Sequence, residues 1–217
     1  MSTEILAIDR GAAFDESIVQ YEYHTHAPYA SSRYDNNDEI RIPIQQQDVF
    51  TLPAESFLHI EGKLIKDAAA ATLNVKLVNN AIAFLFEEIR YELAGVEVDR
   101  TKNVGITSTV KTLLSANEHE KKHLFNAGWV APDNNTLTIN QTLGEFNFWL
   151  HLKMLLGLAE DYTRIIMNVK QELILLRTST NVNAMMTTAG AANGKLELTG
   201  IQWKMPYVRV TNAYRLP

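Results

Sequence analysis

Strict alternation of apolar and polar residues from Phe146 to Leu152 constrains the fold of this 217-residue chain more than any other feature. The apolar positions are Phe146, Phe148, Leu150 and Leu152, and the intervening ones are Asn147, Trp149 and His151. A period of two predicts a β-strand with one buried face. Lys153–Asp161 has helical spacing and predicts a short apolar helix. Arg164–Arg177 predicts a second long strand, whose apolar side carries Ile165, Met167, Val169, Leu173 and Leu175. This unit builds a core and contains no evident catalytic group.

The same period of two recurs along the rest of the chain. It predicts a strand over Ile40–Ile44 that has an edge position or a bulge, because Pro43 cannot donate a hydrogen bond to a neighbouring strand. It also predicts a strand over Phe57–Lys66 and a last strand that starts at Leu196 and ends at Pro206. Glu88–Asp99 is typical of a hairpin with an Ala94-Gly95 turn. The Thr-, Asn-, Ala- and Gly-rich segment from Thr178 to Gly194 predicts a loop.

One long helix is predicted, over Ile106–Asn126, with Thr107 or Ser108 as its N-terminal cap. Its apolar side consists of Val110, Leu113, Leu114 and Leu124. Because strands do not alternate regularly with helices, a parallel α/β fold is disfavoured. We therefore predict an all-β, antiparallel jelly-roll sandwich, with this helix inserted between hairpins and the short helix near 153–161.

Composition excludes several classes of protein. The net charge is −5, which argues against a surface that coats nucleic acid, because such a surface needs a basic field. No run of apolar residues reaches the roughly 18 that a membrane span needs. The first twenty residues lack the basic end and apolar run of a signal peptide. There is no cysteine, so neither disulfides nor thiol chemistry contribute.

The sharpest chemical motif is His119-Glu120-Lys121-Lys122-His123, which matches H-E-x-x-H. On a helix this spacing places two imidazoles one turn apart for zinc, with the glutamate as general base. The flanking residues are charged, and the sequence offers no evident third ligand. We predict a solvated helix face, and we keep a zinc-dependent hydrolase that uses His119, Glu120 and His123 as an alternative.

The other candidate sites are weaker. His24 and His26 lack the nearby glutamate of a cupin metal site, so we interpret them as surface or interface histidines. Trp149 and His151 predict either an interface patch or side chains packed under a loop, and both interpretations stay open. A glycan-binding jelly roll is a further alternative, for which Trp129 and Trp149 are the candidate platforms. We predict no catalytic residue and no cofactor.

Several segments together resemble one family, the double-jelly-roll major capsid proteins of adintoviruses and Polinton (Maverick) elements, including the copies in invertebrate genomes. The segments are Arg41–Asp48, Glu55–Leu64, Asn79–Thr101 and Leu152–Arg177, and the turn into Ile201–Pro206 resembles the end of the family's first barrel. The resemblance covers roughly residues 20–206.

The resemblance implies a structural virion protein, which assembles inside the host cell, in the nucleus or the cytoplasm. It implies association with itself, as a trimer or capsomer, and with other capsid proteins. It divides the chain into an N-terminal arm (1–20), one jelly roll (21–206) and a C-terminal segment (207–217). The family carries a second jelly roll, and this sequence stops at Pro217, where the linker to that barrel is expected.

Overall fold

The computed structural model describes residues 17–29, 34–45, 50–66, 75–130, 136–137, 144–187 and 194–211. The strands are β1 (Ile18–His26), β2 (Glu39–Ile44), β3 (Phe50–Thr51), β4 (Phe57–Lys66), β5 (Val75–Val78), β6 (Phe86–Leu93), β7 (Val96–Lys102), β8 (Thr136–Leu137), β9 (Glu145–His151), β10 (Ile166–Met167), β11 (Gln171–Arg177), β12 (Met185–Thr187) and β13 (Gly194–Val210). The α-helices are α1 (Val104–Ser115), α2 (Glu118–His123), α3 (Leu152–Leu155) and α4 (Gly157–Asp161). Short 3-10 turns are formed by Pro53–Glu55, Ala83–Leu85, Leu124–Ala127 and Val182–Ala184.

Two main sheets face each other. The first has the order β10-β3-β13-β4-β9, with β1 paired to β13, and the second has the order β2-β11-β6-β7. A small third sheet has the order β12-β5-β8. All described strand pairs are antiparallel, and neighbours in a sheet are often distant in sequence. The predicted all-β, antiparallel jelly-roll sandwich is therefore confirmed.

The core lies between the two main sheets. The second sheet contributes inward residues that include Ile40, Ile42, Ile44, Ile89, Leu173 and Leu175. The first sheet contributes inward residues that include Leu58, Ile60, Phe146, Phe148, Leu150 and Trp203. Tyr91 and Trp203 meet edge to face across the gap, with ring centroids 5.9 Å apart. The alternation read from the sequence thus marks the buried face correctly in β2, β4 and β9.

The predicted hairpin is also confirmed. Residues of β6 pair with β7, and Leu93 lies opposite Val96 across the turn. Ala94 and Gly95 both have positive φ, 51° and 80°, which is the backbone of a type I′ turn. The predicted edge position of β2, the strand that contains Pro43, is confirmed as well.

The long strand predicted over Arg164–Arg177 is wrong. Its first part, β10, pairs with β3 in the first sheet, whereas β11 pairs with β2 and β6 in the second. Asn168, with a φ of 49°, interrupts the extended backbone between them. Met167 consequently exposes 43% of its surface instead of joining the core. The predicted helix before it is present but is divided into α3 and α4 by the extended residue Leu156.

The single helix predicted over Ile106–Asn126 is wrong as well. The chain leaves the helical conformation at Ala116, where ψ is 130°, and α2 begins anew after the capping residue Asn117. Neither predicted cap acts as one, because Asn103 occupies the position before α1. The hydroxyl of Thr107 instead donates to the Lys102 carbonyl, and that of Ser108 to the Val104 carbonyl.

Two further boundaries differ from prediction. The segment Thr178–Gly194 is not wholly a loop, because it contains β12, which pairs with β5. The last strand does not end at Pro206 but continues to Val210, with Pro206 opposite Tyr23 of β1. Proline has no N–H to donate to a neighbouring strand, but the Pro206 carbonyl accepts a hydrogen bond from the Leu52 amide. Most of the predicted arm, residues 1–16, lies outside the described residues.

Candidate assembly surfaces

Four aromatic rings and one imidazole form a continuous layer on the outer side of the first sheet, which we call the aromatic face. Its members are Tyr21, Tyr23, Phe57, His59 and Trp149. Successive ring centroids lie 5.8 Å apart for Tyr21 and Tyr23, 5.1 Å for Tyr23 and Phe57, 5.1 Å for Phe57 and Trp149, and 4.1 Å for Trp149 and His59. The layer arises because β4 and β9 alternate these side chains with buried ones on the opposite side.

Polar groups on the aromatic face are bonded to one another. The ammonium of Lys204 donates to the Thr25 hydroxyl at 2.6 Å and lies 6.0 Å from the centroid of Trp149. The ring nitrogen Nε2 of His59 lies 2.8 Å from the amide oxygen of Asn147. These groups thus have partners within the face, and the charge of the Lys204 ammonium is the one group that a covering surface would have to accommodate. Trp149 is 38% exposed and accessible for such a contact.

His151 lies at the margin of this face and packs edge to face on Phe57, with the centroids 5.8 Å apart. Its Nδ1 atom is buried and has no hydrogen-bond partner. Burial lowers the pKa of the ring, and the positive charge of Lys153 lowers it further. Trp149 is thus accessible and His151 is half-buried, and the two interpretations left open by the sequence both stay predictions.

The two histidines of β1 contact Tyr207 of β13. The ring of His24 stacks on Tyr207 with centroids 4.1 Å apart, and Nε2 of His26 lies 3.1 Å from the Tyr207 hydroxyl. Nε2 of His24 also pairs with a carboxylate oxygen of Glu22 at 2.8 Å. Burial lowers the pKa of His26 to about 4, with a smaller contribution from the charge of His24. Within the described residues, no three His, Cys, Asp or Glu side chains cluster as a metal site would need.

Helix α1 carries the second candidate surface, on the side that the sequence predicted to be apolar. Its large apolar residues face solvent: Ile106, Val110, Leu113 and Leu114 expose between 49% and 83% of their surface. Phe125, in the 3-10 turn that follows α2, is also exposed. We call the four exposed residues of α1, Ile106, Val110, Leu113 and Leu114, the α1 face. The buried side of α1 consists of Val104, Gly105, Ser108 and Thr112, so the predicted apolar side with Val110, Leu113 and Leu114 faces solvent rather than the core.

The close approach of the α1 backbone to the turn before β6 explains why the large apolar side chains of α1 face solvent. A Cβ atom on Gly105 would lie 2.3 Å from the Phe84 ring, so the helix rests directly on the turn that precedes β6. Asn80 from the same turn donates to the hydroxyls of Ser108 and Thr109, both at 2.9 Å. Only small or hydroxyl-bearing residues fit at this distance, and the large apolar ones are left on the opposite side of the helix.

The H-E-x-x-H segment is helical, as the motif requires. The rings of His119 and His123 lie 4.8 Å apart, and Glu120 and His123 line a groove of about 440 Å³ between α1, α2 and α3. The Glu120 carboxylate accepts a hydrogen bond from the Asn117 amide, and the Asn117 side chain accepts from the amides of His119 and Glu120. This is a capping box, a structural use of the glutamate that the sequence reading did not consider.

Trp129 is not a platform for a glycan, because the side chain is 2% exposed and belongs to the core. Its indole nitrogen is buried without a hydrogen-bond partner. Trp149 keeps an exposed ring, but His59 stacks against it and the ammonium of Lys204 lies nearby. The geometry therefore offers an aromatic layer suited to a protein surface rather than a pair of tryptophans around a sugar.

Arg177 is a buried side chain that sequence reasoning missed. Its guanidinium donates to the Leu85 carbonyl at 2.7 Å and to the side-chain oxygen of Asn181 at 3.0 Å, while Nε has no partner. Burial lowers its pKa to about 10, and Asp38 and Asp35 offset part of that effect. The residue ties the end of β11 to two loops. The final position of an alternating strand gives no sequence signal for such a role.

The sequence of this sandwich matches a known domain family. A profile described as "double jelly roll-like domain" matches residues 75–217, which is more than half of the chain. The chain belongs to the double jelly roll-like domain family. A comparison with curated proteins finds no match. No helix in the described part of the chain is long and apolar enough to cross a lipid bilayer.

Solved viral structures share the fold of this double jelly roll-like domain at low sequence identity. The Faustovirus major capsid protein has a TM-score of 0.62 and 10% identity, over 94% of this chain and 57% of that one. The Sputnik virophage structure has a TM-score of 0.57 and 7% identity, over 96% and 51%. The mavirus major capsid protein has a TM-score of 0.53 and 10% identity, over 100% and 52%. The domain therefore spans about half the length of the solved chains that it matches.

Proposed function

We propose that this chain is a structural virion protein, either the first jelly roll of a double-jelly-roll major capsid protein or a single-barrel relative. The observation that carries the proposal is the family match over residues 75–217. The Faustovirus and mavirus proteins of the same fold are named major capsid proteins, which supports a capsid role. The segment likeness to adintovirus and Polinton proteins supports that lineage as the finer assignment.

Half-length coverage supports a single barrel that is preceded by a short arm. The predicted barrel bounds of 21 and 206 move outward to the start of β1 at Ile18 and the end of β13 at Val210, which leaves only the last residues for the predicted C-terminal segment (207–217). In this proposal, the barrel associates with copies of itself through lateral contacts, as trimers or larger capsomers, and with other capsid proteins. It acts in the virion and assembles in the nucleus or cytoplasm of the host cell. The net charge of −5 supports a shell protein that leaves direct contact with nucleic acid to other components.

Two largely apolar surfaces support assembly as the role. Subunits of a shell gain their free energy of association from buried apolar area, with about 800 Å² per partner in a standard interface. The aromatic face and the α1 face are the accessible apolar surfaces that such a contact needs. We assign no catalytic residue, because the Glu120 carboxylate, the candidate general base, is engaged in the capping box.

The test is size-exclusion chromatography with light scattering on the 217-residue chain, followed by negative-stain microscopy of each peak. We expect trimers, rings or closed shells that grow in amount with protein concentration. A chain that remains monomeric at every accessible concentration contradicts self-assembly through its own surfaces.

A further inference from the structure

The α1 face has the composition of an interface and lacks a partner within the described chain. α1 contains a single charged residue, Lys111, and its ammonium reaches α3 and α4, where it donates to the Lys153 carbonyl at 2.6 Å and pairs with Glu160 at 2.5 Å. The hydroxyl of Ser115 donates to the Lys111 carbonyl at 2.7 Å. The outward surface is therefore apolar and internally satisfied, which disfavours nucleic acid or a charged peptide as its partner.

The α1 face is large enough to form the apolar centre of a protein interface. Four apolar side chains that are about half exposed or more form a patch on the order of 400 Å², within the range of about 300–600 Å² for the largest apolar patch on a typical monomer. That area is the apolar centre of one side of a standard interface, which is about 800 Å² per partner. Apolar patches of this size are often functional, and their burial stabilises association.

We propose that the α1 face of one copy packs on the aromatic face of a second copy, in a head-to-tail contact. The two surfaces belong to different parts of the sandwich, because α1 covers β6 and β7 while the aromatic face lies outside β1, β4 and β9. A head-to-tail contact buries both surfaces of every copy with one kind of interface. A symmetric contact between two α1 faces leaves the aromatic face of each copy exposed.

This inference rests on the proposed role in assembly and specifies its geometry. Contacts between two different surfaces of identical chains close into rings when the rotation between copies permits, and otherwise extend as filaments. Leu113 and Leu114, near the C-terminal end of α1, supply the apolar ridge. Tyr21, Tyr23 and Trp149 supply the flat receiving surface.

The absence of cysteine from the sequence permits a clean cross-linking test. One variant carries Leu113→Cys on the α1 face, and a second, with an affinity tag that changes its size, carries Tyr23→Cys on the aromatic face. The two are mixed at assembling concentration and treated with a short bismaleimide. Val96→Cys serves as the matched control, because Val96 is 65% exposed in the β6–β7 hairpin and belongs to neither face.

We expect cross-links between Leu113→Cys and Tyr23→Cys to exceed all pairs with Val96→Cys by at least tenfold. Predominant cross-links between two Leu113→Cys chains would overturn the head-to-tail contact in favour of a symmetric one. Assemblies seen by light scattering without enrichment of the mixed pair would overturn this inference while leaving the proposed function standing. A chain that stays monomeric overturns both.

A charge substitution gives an independent readout. Leu114 is the most exposed member of the α1 face, so Leu114→Lys leaves the core intact. We expect at least a tenfold weaker self-association with an unchanged melting temperature, whereas Val96→Lys leaves self-association unchanged. Equal association of the wild type and Leu114→Lys would overturn the assignment of the α1 face.

Discussion

The side-chain amide of Gln171 donates a hydrogen bond of 2.5 Å to the hydroxyl of Thr51, and this buried contact joins the two main sheets. The same amide accepts a hydrogen bond of 2.7 Å from the hydroxyl of Tyr91, and Thr51 donates onward to the Ile166 carbonyl. Apolar packing alone specifies the relative position of two sheets only loosely, whereas a satisfied polar chain between them favours one arrangement.

Replacement of Gln171 by leucine is expected to lower the free energy of unfolding by about 2–3 kcal/mol, because two buried hydroxyls lose a partner. Urea denaturation followed by tryptophan fluorescence measures this loss. Gln20→Leu, on the exposed strand β1, is the control and should stay within about 0.5 kcal/mol of the wild type. Equal stability of the two variants would show that the connection between the sheets contributes little.

Gly105→Ala is expected to destabilise the fold by about 1–3 kcal/mol, because the added methyl group collides with Phe84 where α1 rests on its turn. Gly157→Ala is the matched control in α4, where the nearest atom to an added Cβ is 3.9 Å away, an ordinary contact distance. That variant should be neutral or slightly stabilising, since alanine is the better helix former. Thermal melts of both proteins make the comparison, and a neutral Gly105→Ala would contradict the close approach.

Asn117→Ala is expected to cost about 1 kcal/mol locally, because it removes the side chain that caps α2. Amide hydrogen exchange over residues 118–123 is the direct measurement, since a short exposed helix can fray without unfolding the sandwich. Glu118→Ala, which removes only an exposed pair with Lys121, should leave exchange nearly unchanged. If both variants exchange alike, the capping box does not stabilise α2.

Metal analysis of protein purified without a histidine tag tests the alternative use of the same segment. We expect less than stoichiometric zinc in the wild type and no change in His123→Ala. Stoichiometric zinc that is lost in His123→Ala would favour a zinc site at His119 and His123 and count against the capping box as the main role of Glu120.

Acid is expected to weaken the packing of β1 on β13. The ordinary pKa of histidine, 6.5, applies to His26 in the unfolded chain, whereas burial lowers the pKa to about 4 in the folded one. The unfolded chain therefore binds the extra proton between these values, so the free energy of unfolding is unaffected above this window and falls as the pH drops from 6.5 towards 4. The loss is on the order of 1 kcal/mol after allowance for solvent screening of a partly exposed ring.

Melting temperatures between pH 4 and pH 8 measure this effect. His26→Gln, which cannot titrate, should flatten part of the slope, and the remainder should come from groups such as His151, whose pKa is lowered in the same direction. If the melting temperature of His26→Gln depends on pH as that of the wild type does, the titration of His26 does not contribute to the acid sensitivity.

Sequence reasoning predicted the fold class well because its evidence is local. The alternation in β2, β4 and β9 reports directly which side chains are buried, and Ala94-Gly95 meets the backbone demands of its turn. The Arg164–Arg177 prediction failed because periodicity does not reveal which sheet a strand joins. Asn168 breaks that stretch through its backbone conformation, and Met167 keeps the apolar pattern while facing solvent.

The candidate surfaces were predicted only in part. Trp149 was singled out from its position on the polar face, but Tyr23 and Phe57 become its neighbours through pairings across distant strands. The apolar spacing of Val110, Leu113 and Leu114 was read correctly as one side of a helix, but it did not predict whether that side faces the core or solvent. Apolar residues that pack on the core and apolar residues that face solvent have the same helical spacing. The small residues Gly105 and Ser108 were the sequence signal that the opposite side of α1 is the closely packed one.

Strand β13 has a further consequence for how the protein is made. It pairs with β1, β3 and β4, so the middle of the first sheet is supplied by residues 194–210, after every other described strand has been synthesised. During synthesis, the edges of β1 and β4 that pair with β13 therefore keep unpaired backbone groups while more than a hundred further residues are added. We therefore expect nascent chains to depend on chaperones and to pass through an aggregation-sensitive stage that ends abruptly when β13 is released.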